Sequence, residues 1–186
     1  MTRWAPLLLL LSGCGCVSVP THNDLRANAL RLEFERGLCS ATAIGSHTIL
    51  TAKHCFTAGG KLVSISGAKV EQGKLTELAN DVVTVEVSGI TFRSFAKMGG
   101  RPMQGDRVRW WGNPAGAADI YRTGYIVRAW TDELMIDAQL YGGDSGSGCY
   151  DDDGNLIGVI SSSRATNMVA ADNLYRIQFA VAIPVR

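Results

Sequence analysis

His54 closes an apolar, strand-like run, Thr48-Ile49-Leu50-Thr51-Ala52, and is followed at once by Cys55. Ser145 lies much later, inside a glycine-rich stretch, Gly142-Gly143-Asp144-Ser145-Gly146-Ser147-Gly148. A serine hydroxyl is a poor nucleophile at neutral pH. It needs a base to remove its proton, an acid to orient that base, and donors for the oxyanion that forms on attack. An unperturbed imidazole titrates close to neutrality and suits the base. Glycine lets the backbone turn its N–H groups inward and approach a substrate, so the amides of Gly143 and Ser145 are candidate oxyanion donors.

Taken singly, each feature has a plainer reading. A Gly-Asp-Ser-Gly run is usually only a turn, and a lone histidine on an apolar segment is usually packed in the core. The chain holds two other histidines, His22 in a polar stretch near the N-terminus and His47 in an expected turn. Only His54 stands at a strand end, where geometry can be held rigid. The orienting acid must be buried beside it. Asp81 fits best, opening the run Asn80-Asp81-Val82-Val83-Thr84-Val85 between the other two residues. Its plainer reading is a turn cap. Asp106 reads as an exposed turn residue before a strand, and Asp119 as a loop residue.

The elements that must position these groups read as strands. Leu30 to Glu35 alternates apolar and polar residues with period 2. Ala41 to Ile44 and Thr48 to Thr51 read as a hairpin turning at Gly45-Ser46. Lys61 to Ser66, Val82 to Val87, Arg107 to Trp111, Gly124 to Trp130, Leu134 to Ala138, Leu156 to Ser161 and Phe179 to Ile183 complete the set. Lys74 to Leu78 is at most one turn of helix. Regular short strands joined by glycine-rich turns predict an all-β barrel or sandwich in one chain-length unit. With 19% charged residues and net charge +1, the chain has no basic footprint for nucleic acid.

The N-terminus has a different character. Arg3 precedes an apolar run from Trp4 to Leu11, too short for a spanning helix and shaped like an export signal. Leu11-Ser12-Gly13-Cys14 resembles the lipobox of bacterial lipoproteins, which implies cleavage after residue 13 and a lipid on Cys14. The alternative is a simple secretory signal cut near Val19. Residues 14–29 then read as a lipidated start and a polar tether. Five cysteines are present, Cys14, Cys16, Cys39, Cys55 and Cys149. With Cys14 lipidated, Cys39 and Cys55 are the natural pair, in keeping with an oxidising compartment. The spacing does not suit a metal site, and Cys149 reads as a small buried hydrophobe.

Together these residues resemble the chymotrypsin-like serine peptidases, over nearly everything from Leu38 onward. Cys39 to Cys55 is similar to that family's cystine-bridged block, and Gly143-Asp144-Ser145-Gly146 to its nucleophile turn. Gly105-Asp106-Arg107-Val108, leading to Gly112-Asn113-Pro114-Ala115-Gly116, resembles the bacterial HtrA-like branch. So do Thr123 to Val127, Asn155 to Val159 and Ala180 to Pro184.

The resemblance implies two six-stranded antiparallel β-barrels, about 30–100 and 101–186, with a cleft between them. It implies a serine endopeptidase with His54, Asp81 and Ser145 as triad and no cofactor or metal. Ser161, Ser162 and Ser163 would lie on the strand that pairs with substrate. Gln139, Ser163 and Ala180 would line an uncharged primary pocket, suited to a small or aliphatic residue. A protein or peptide substrate, a lipid anchor and an outer-membrane site facing the periplasm follow as expectations, as does the lack of the PDZ domain usual in that branch. A binding protein of the same fold and an esterase are the rival functions. Three residues depart from the pattern: Lys53 before the histidine, Ser147 after the nucleophile, and Asp144, which lacks the N-terminal partner that the animal enzymes provide and would need an internal arginine.

Overall fold

The computed structural model describes residues 22–170 and 173–185. The export signal, Cys14 and Cys16 lie outside the described residues. The described residues begin with a short helix, α1 (His22–Arg26), in the stretch expected to be tether; its Leu25 is buried. Fourteen strands follow among the described residues. Those of the first half are β1 (Ala29–Phe34), β2 (Gly37–Gly45), β3 (Thr48–Ala52), β4 (Leu62–Ile65), β5 (Ala68–Lys69), β6 (Glu71–Ala79) and β7 (Val82–Ser88). Helix α2 (His54–Gly59) stands between β3 and β4. The second half holds β8 (Lys97–Met98), β9 (Arg107–Gly112), β10 (Ile120–Ala129), β11 (Leu134–Ile136), β12 (Gly148–Tyr150), β13 (Asn155–Ala170) and β14 (Asn173–Pro184).

The two halves form two sheets, and they differ. The second runs β12-β9-β10-β11-β14-β13, and β13 returns to pair with β12. That closes a six-stranded barrel, with β8 added parallel to β13. The first runs β5-β4-β1-β2-β3-β7-β6 and stays open. The expectation of two six-stranded barrels is therefore corrected: one half is a closed six-stranded barrel, the other an open seven-stranded half-barrel. The edge strands explain the difference. β5 is only two residues long. β6 is largely solvent-exposed and carries Glu71, Gln72, Lys74 and Glu77, so it buries little beyond Leu75 and Ala79. Although only Val70 separates β5 from β6 in sequence, no ladder joins them. Lys74 to Leu78 lies within β6 and is not helical.

Period-2 alternation divides the core. On β9, Val108 and Trp110 fill the barrel interior with Ile126, Leu134, Ile136, Cys149, Ile160 and Ala180. Trp111, on the opposite face, joins Leu50, Val82, Tyr150, Val159 and Val181 between the two sheets. A third cluster, including Leu32, Ala41, Ile49 and Ile65, lies within the half-barrel. The interior of the barrel has no room for charge, and burial pushes the Cys149 thiol far up, so it packs as a small hydrophobe.

One covalent link crosses the first sheet. Cys39 of β2 and Cys55 of α2 form a disulfide, the pairing expected from the sequence. The bridge spans 16 residues of sequence. Chain-entropy arguments put the stabilisation from closing a loop of that length at about 3 kcal/mol. Replacing both cysteines by alanine is expected to lower unfolding free energy by roughly that amount, read from urea denaturation midpoints at constant slope. An unchanged midpoint would show that the bridge adds nothing to stability.

Candidate active site

Strand β3 ends at Ala52, and α2 begins two residues later at His54. Asp81 occupies the tight turn between β6 and β7 and has a positive φ of 25°. A left-handed backbone is costly for most side chains but better tolerated by aspartate, and such strain is often kept at functional positions. β3 and β7 are paired, with Ala52 opposite Val82. That register sets Asp81 beside His54.

Three hydrogen bonds lock the two segments together. The Lys53 amide donates to the Asp81 carbonyl at 2.8 Å. The His54 amide donates to Asp81 Oδ1 at 2.9 Å. His54 Nδ1 lies 2.7 Å from Asp81 Oδ2. A carboxylate only accepts, so Nδ1 carries the proton and Nε2 presents its lone pair. The Ser161 hydroxyl also donates to Asp81 Oδ2, at 2.5 Å. Burial pushes the Asp81 carboxyl up, but the bonds from Ser161 and His54 outweigh it and hold the group below its ordinary value.

Ser145 comes from the barrel, in the turn that leads into β12. Its hydroxyl donates to the Ser161 carbonyl at 3.1 Å and makes no hydrogen bond to His54. The turn is clamped across the sheets. The Ser40 amide of β2 donates to the Ser145 carbonyl at 2.7 Å, and Thr51 Oγ1 donates to the Ser40 carbonyl at 2.7 Å. Gly146 packs so closely here that a Cβ would lie 1.9 Å from the Ser40 carbonyl oxygen, with φ at +90°. No other residue type fits that position. Among the described residues, the N–H groups of Gly143 and Ser145 have no hydrogen-bond acceptor. Unengaged amides of this kind are what an oxyanion site requires.

Asp144 has the internal arginine that the sequence left unidentified. Arg122 of β10 brings Nη1 to 3.5 Å from Asp144 Oδ2, which also accepts from the Tyr141 amide at 3.1 Å. The guanidinium is wedged against the Trp110 and Tyr141 rings. Asp144 is fully buried and its Oδ1 has no hydrogen-bond partner. Burial therefore outweighs the Tyr141 bond and Arg122, and pushes the carboxyl up.

The other expected residues are placed as follows. Ser163 of β13 faces Ala180 of β14 across the ladder, with Ser162 opposite Val181. Ser162 and Ser163 are exposed and Ala180 is buried. Gln139 is exposed; its Oε1 accepts from the Tyr141 hydroxyl at 2.9 Å and its carbonyl accepts from Arg122. Lys53 Nζ is 2.6 Å from Glu77 Oε1, so its charge is met by a carboxylate rather than left beside the imidazole. Asp106 accepts from the Met103 amide, and Asp119 pairs with Arg26. Neither rival acid is bonded to His54. Among the described residues no group of His, Cys, Asp and Glu has the arrangement of a metal site.

The Arg122–Asp144 pair makes a pH-dependent prediction. A carboxyl raised in the folded state holds its proton more tightly there, so stability falls as pH rises from the ordinary value through the raised one. Arg122 offsets that loss. Arg122→Gln is expected to cost about 3 kcal/mol at neutral pH, where it strands a buried carboxylate. The cost should shrink in acid, where Asp144 is protonated. Denaturant unfolding at the two pH values checks this; an equal cost at both would contradict it.

A family model described as the trypsin-like peptidase domain matches residues 39–159. No curated protein is significantly similar in sequence. Among solved structures, an inactive serine-to-alanine mutant of Rv3671c from M. tuberculosis H37Rv superposes with a TM-score of 0.71 at 16% identity, over 90% of this chain and 86% of that one. The serine endoprotease from Yersinia pestis superposes with a TM-score of 0.66 at 20% identity, over 90% of this chain and 64% of that one. At these identities the superpositions speak for the fold alone, whereas the family model spans both the His54 segment and the Ser145 turn. The chain belongs to the family of trypsin-like peptidase domains.

Proposed function

We propose that the chain is a serine endopeptidase that uses His54, Asp81 and Ser145. One observation carries the reading. The His54–Asp81 pair, on the half-barrel, meets a serine turn on the barrel that holds two unengaged N–H groups. Ser161 ties the two together, since its hydroxyl bonds Asp81 while its carbonyl accepts from Ser145.

The chemistry is acyl transfer. The Ser145 hydroxyl leaves the Ser161 carbonyl, His54 Nε2 takes its proton, and Oγ attacks a peptide carbonyl. Asp81, kept ionised by Ser161 and His54, stabilises the imidazolium. The Gly143 and Ser145 amides bind the developing oxyanion, an interaction worth about 10²- to 10³-fold in kcat per donor. The imidazolium then gives its proton to the leaving amine. Water, activated by the same imidazole, releases the acyl group and restores Ser145. The substrate would add as a strand beside Ser161, Ser162 and Ser163, of which Ser162 and Ser163 are exposed. On this reading Gln139, Ser163 and Ala180 are assigned to an uncharged primary pocket for a small or aliphatic side chain.

The proposal extends to organisation. Residues 1–13 act as an export signal, Cys14 carries a lipid, and the peptidase body works in the bacterial envelope, probing periplasmic proteins from the outer membrane. The Gly105 to Gly116 motif pattern favours kinship with the HtrA-like branch. The disulfide agrees with an oxidising compartment. No helix among the described residues is long and apolar enough to cross a membrane.

A second reading has one observation in its favour. Ser145 is bonded to Ser161 rather than to His54, as expected of a peptidase-fold binding protein with a silent serine. Reaction with a broad fluorophosphonate separates the two. The peptidase reading predicts labelling at Ser145, lost in both Ser145→Ala and His54→Ala. Asp81→Asn should lower peptide kcat by roughly 10⁴-fold, because Nδ1 is no longer held as the donor. A folded, disulfide-bonded protein that takes no label at Ser145 would sink the peptidase reading.

A further inference from the structure

We propose that Ser40 and Asn113 are positioning residues for the oxyanion site, forming a buried relay that sets the orientation of the peptide units from Gly142 to Ser145. The proposal rests on the reading of Gly143 and Ser145 as oxyanion donors.

Ser40 is fully buried in β2 of the half-barrel. Its hydroxyl crosses to the barrel and donates to the Gly143 carbonyl at 2.7 Å. The same oxygen accepts from Asn113 Nδ2 at 2.7 Å. Chemistry gives this relay a direction. An amide nitrogen only donates, so the single hydroxyl proton of Ser40 is left for Gly143. The Asn113 side chain is oriented in turn, because its Oδ1 accepts from the Asp119 amide at 3.4 Å.

A peptide unit is planar and trans, so holding its carbonyl also aims the N–H at its far side. The Gly143 carbonyl and the Asp144 amide belong to one unit. Ser40 holds the first, and the Tyr141 carbonyl accepts from the second at 3.1 Å. The preceding unit joins the Gly142 carbonyl to the Gly143 amide. There Ala115 donates to the Gly142 carbonyl at 2.7 Å, which turns the Gly143 N–H away from Ala115. Ala115 holds a positive φ of 51°, unfavourable for a residue with a Cβ, inside the turn that Asn113 begins. The following unit is held by the Ser147 amide on the Asp144 carbonyl at 3.1 Å.

Gly143 itself has φ +102°, and a Cβ there would lie 2.1 Å from the Asn113 carbonyl oxygen. Asn113 thus meets the turn through both its backbone and, by way of Ser40, its side chain. Without the relay, the Gly143 carbonyl and the Asn113 amide would be buried and unpaired, and the turn would be free to trade its free N–H groups for bonds within the protein.

Two substitutions in the full chain test this. Ser40→Ala deletes the donor. Asn113→Asp keeps the shape but offers the Ser40 hydroxyl a carboxylate, drawing its proton from Gly143. Each is expected to lower kcat for a peptide substrate about 10- to 100-fold, while KM stays within about twofold. Affinity for a peptide boronate, which places an oxygen at the oxyanion position, should fall by the same factor. Ser40→Thr, which restores the hydroxyl, should recover most of the loss, and the double variant should be little worse than either single one. Wild-type kcat in either variant, or a loss expressed in KM alone, would overturn the relay. A second readout needs no turnover. Amide hydrogen exchange at Asp144, Gly146 and Ser147 should quicken in both variants, and unchanged exchange would overturn the relay even if the wild-type protein proved inactive. Conversely, inactive wild-type protein with the quickened exchange would leave the relay standing and remove the peptidase reading.

Discussion

The candidate base and the candidate nucleophile are carried by different sheets, so everything depends on the contact that holds one sheet against the other at the site. Strand β2 makes that contact. Ser40 grips the Ser145 turn through its amide and its hydroxyl, while Thr51, three residues before His54, grips the Ser40 carbonyl. Cys39, beside Ser40, is bridged to Cys55, beside His54. One short stretch of backbone therefore refers both halves of the site to a common frame. Buried hydrogen bonds suit this task because they fix direction as well as distance, and because the cost of leaving their partners unpaired keeps alternatives scarce.

The two sheets suit different duties. The closed barrel has no free edge among its six central strands and supplies a rigid mount for the Ser145 turn. The half-barrel presents the β3–β7 ladder, whose register alone puts Asp81 opposite the start of α2. The site sits where the apolar cluster between the sheets gives way to polar contacts. Ser161 stands at that boundary. It was expected only on the substrate-facing strand, and its hydroxyl proves also to be bonded to Asp81.

Much of this was legible in the sequence because it is local. A period-2 run marked β1, the Gly45-Ser46 turn marked the β2–β3 hairpin, β-branched residues marked β7, and Gly112-Asn113-Pro114 marked the end of β9. The disulfide and the residue order from His54 through Asp81 to Ser145 were readable from motifs. What escaped was non-local. Arg122 sits on a strand of mixed pattern, and nothing nearby hints that it reaches Asp144. Ser40 looks like one more small residue in a buried strand, and Asn113 like part of a turn. Closure was equally hidden. The half-barrel stays open because β5 is two residues long and β6 is polar, and strand pairing across a sheet edge leaves little trace in local periodicity. The β13–β14 hairpin is longer than the runs Leu156 to Ser161 and Phe179 to Ile183 that mark it in the sequence, because its backbone pairing continues to Ala170 opposite Asn173.

The proposed peptidase needs an oxyanion site that is already formed, facing a nucleophile that the His54–Asp81 pair can activate. A crystal structure of the protein with a peptide boronate tests this most directly. A working peptidase would show a covalent bond from Ser145 Oγ to boron, a boronate oxygen within hydrogen-bond distance of both the Gly143 and Ser145 amides, and the Ser40–Gly143 bond intact. A boronate bound away from Ser145, or a turn whose peptides have flipped to receive it, would rule out a preformed site.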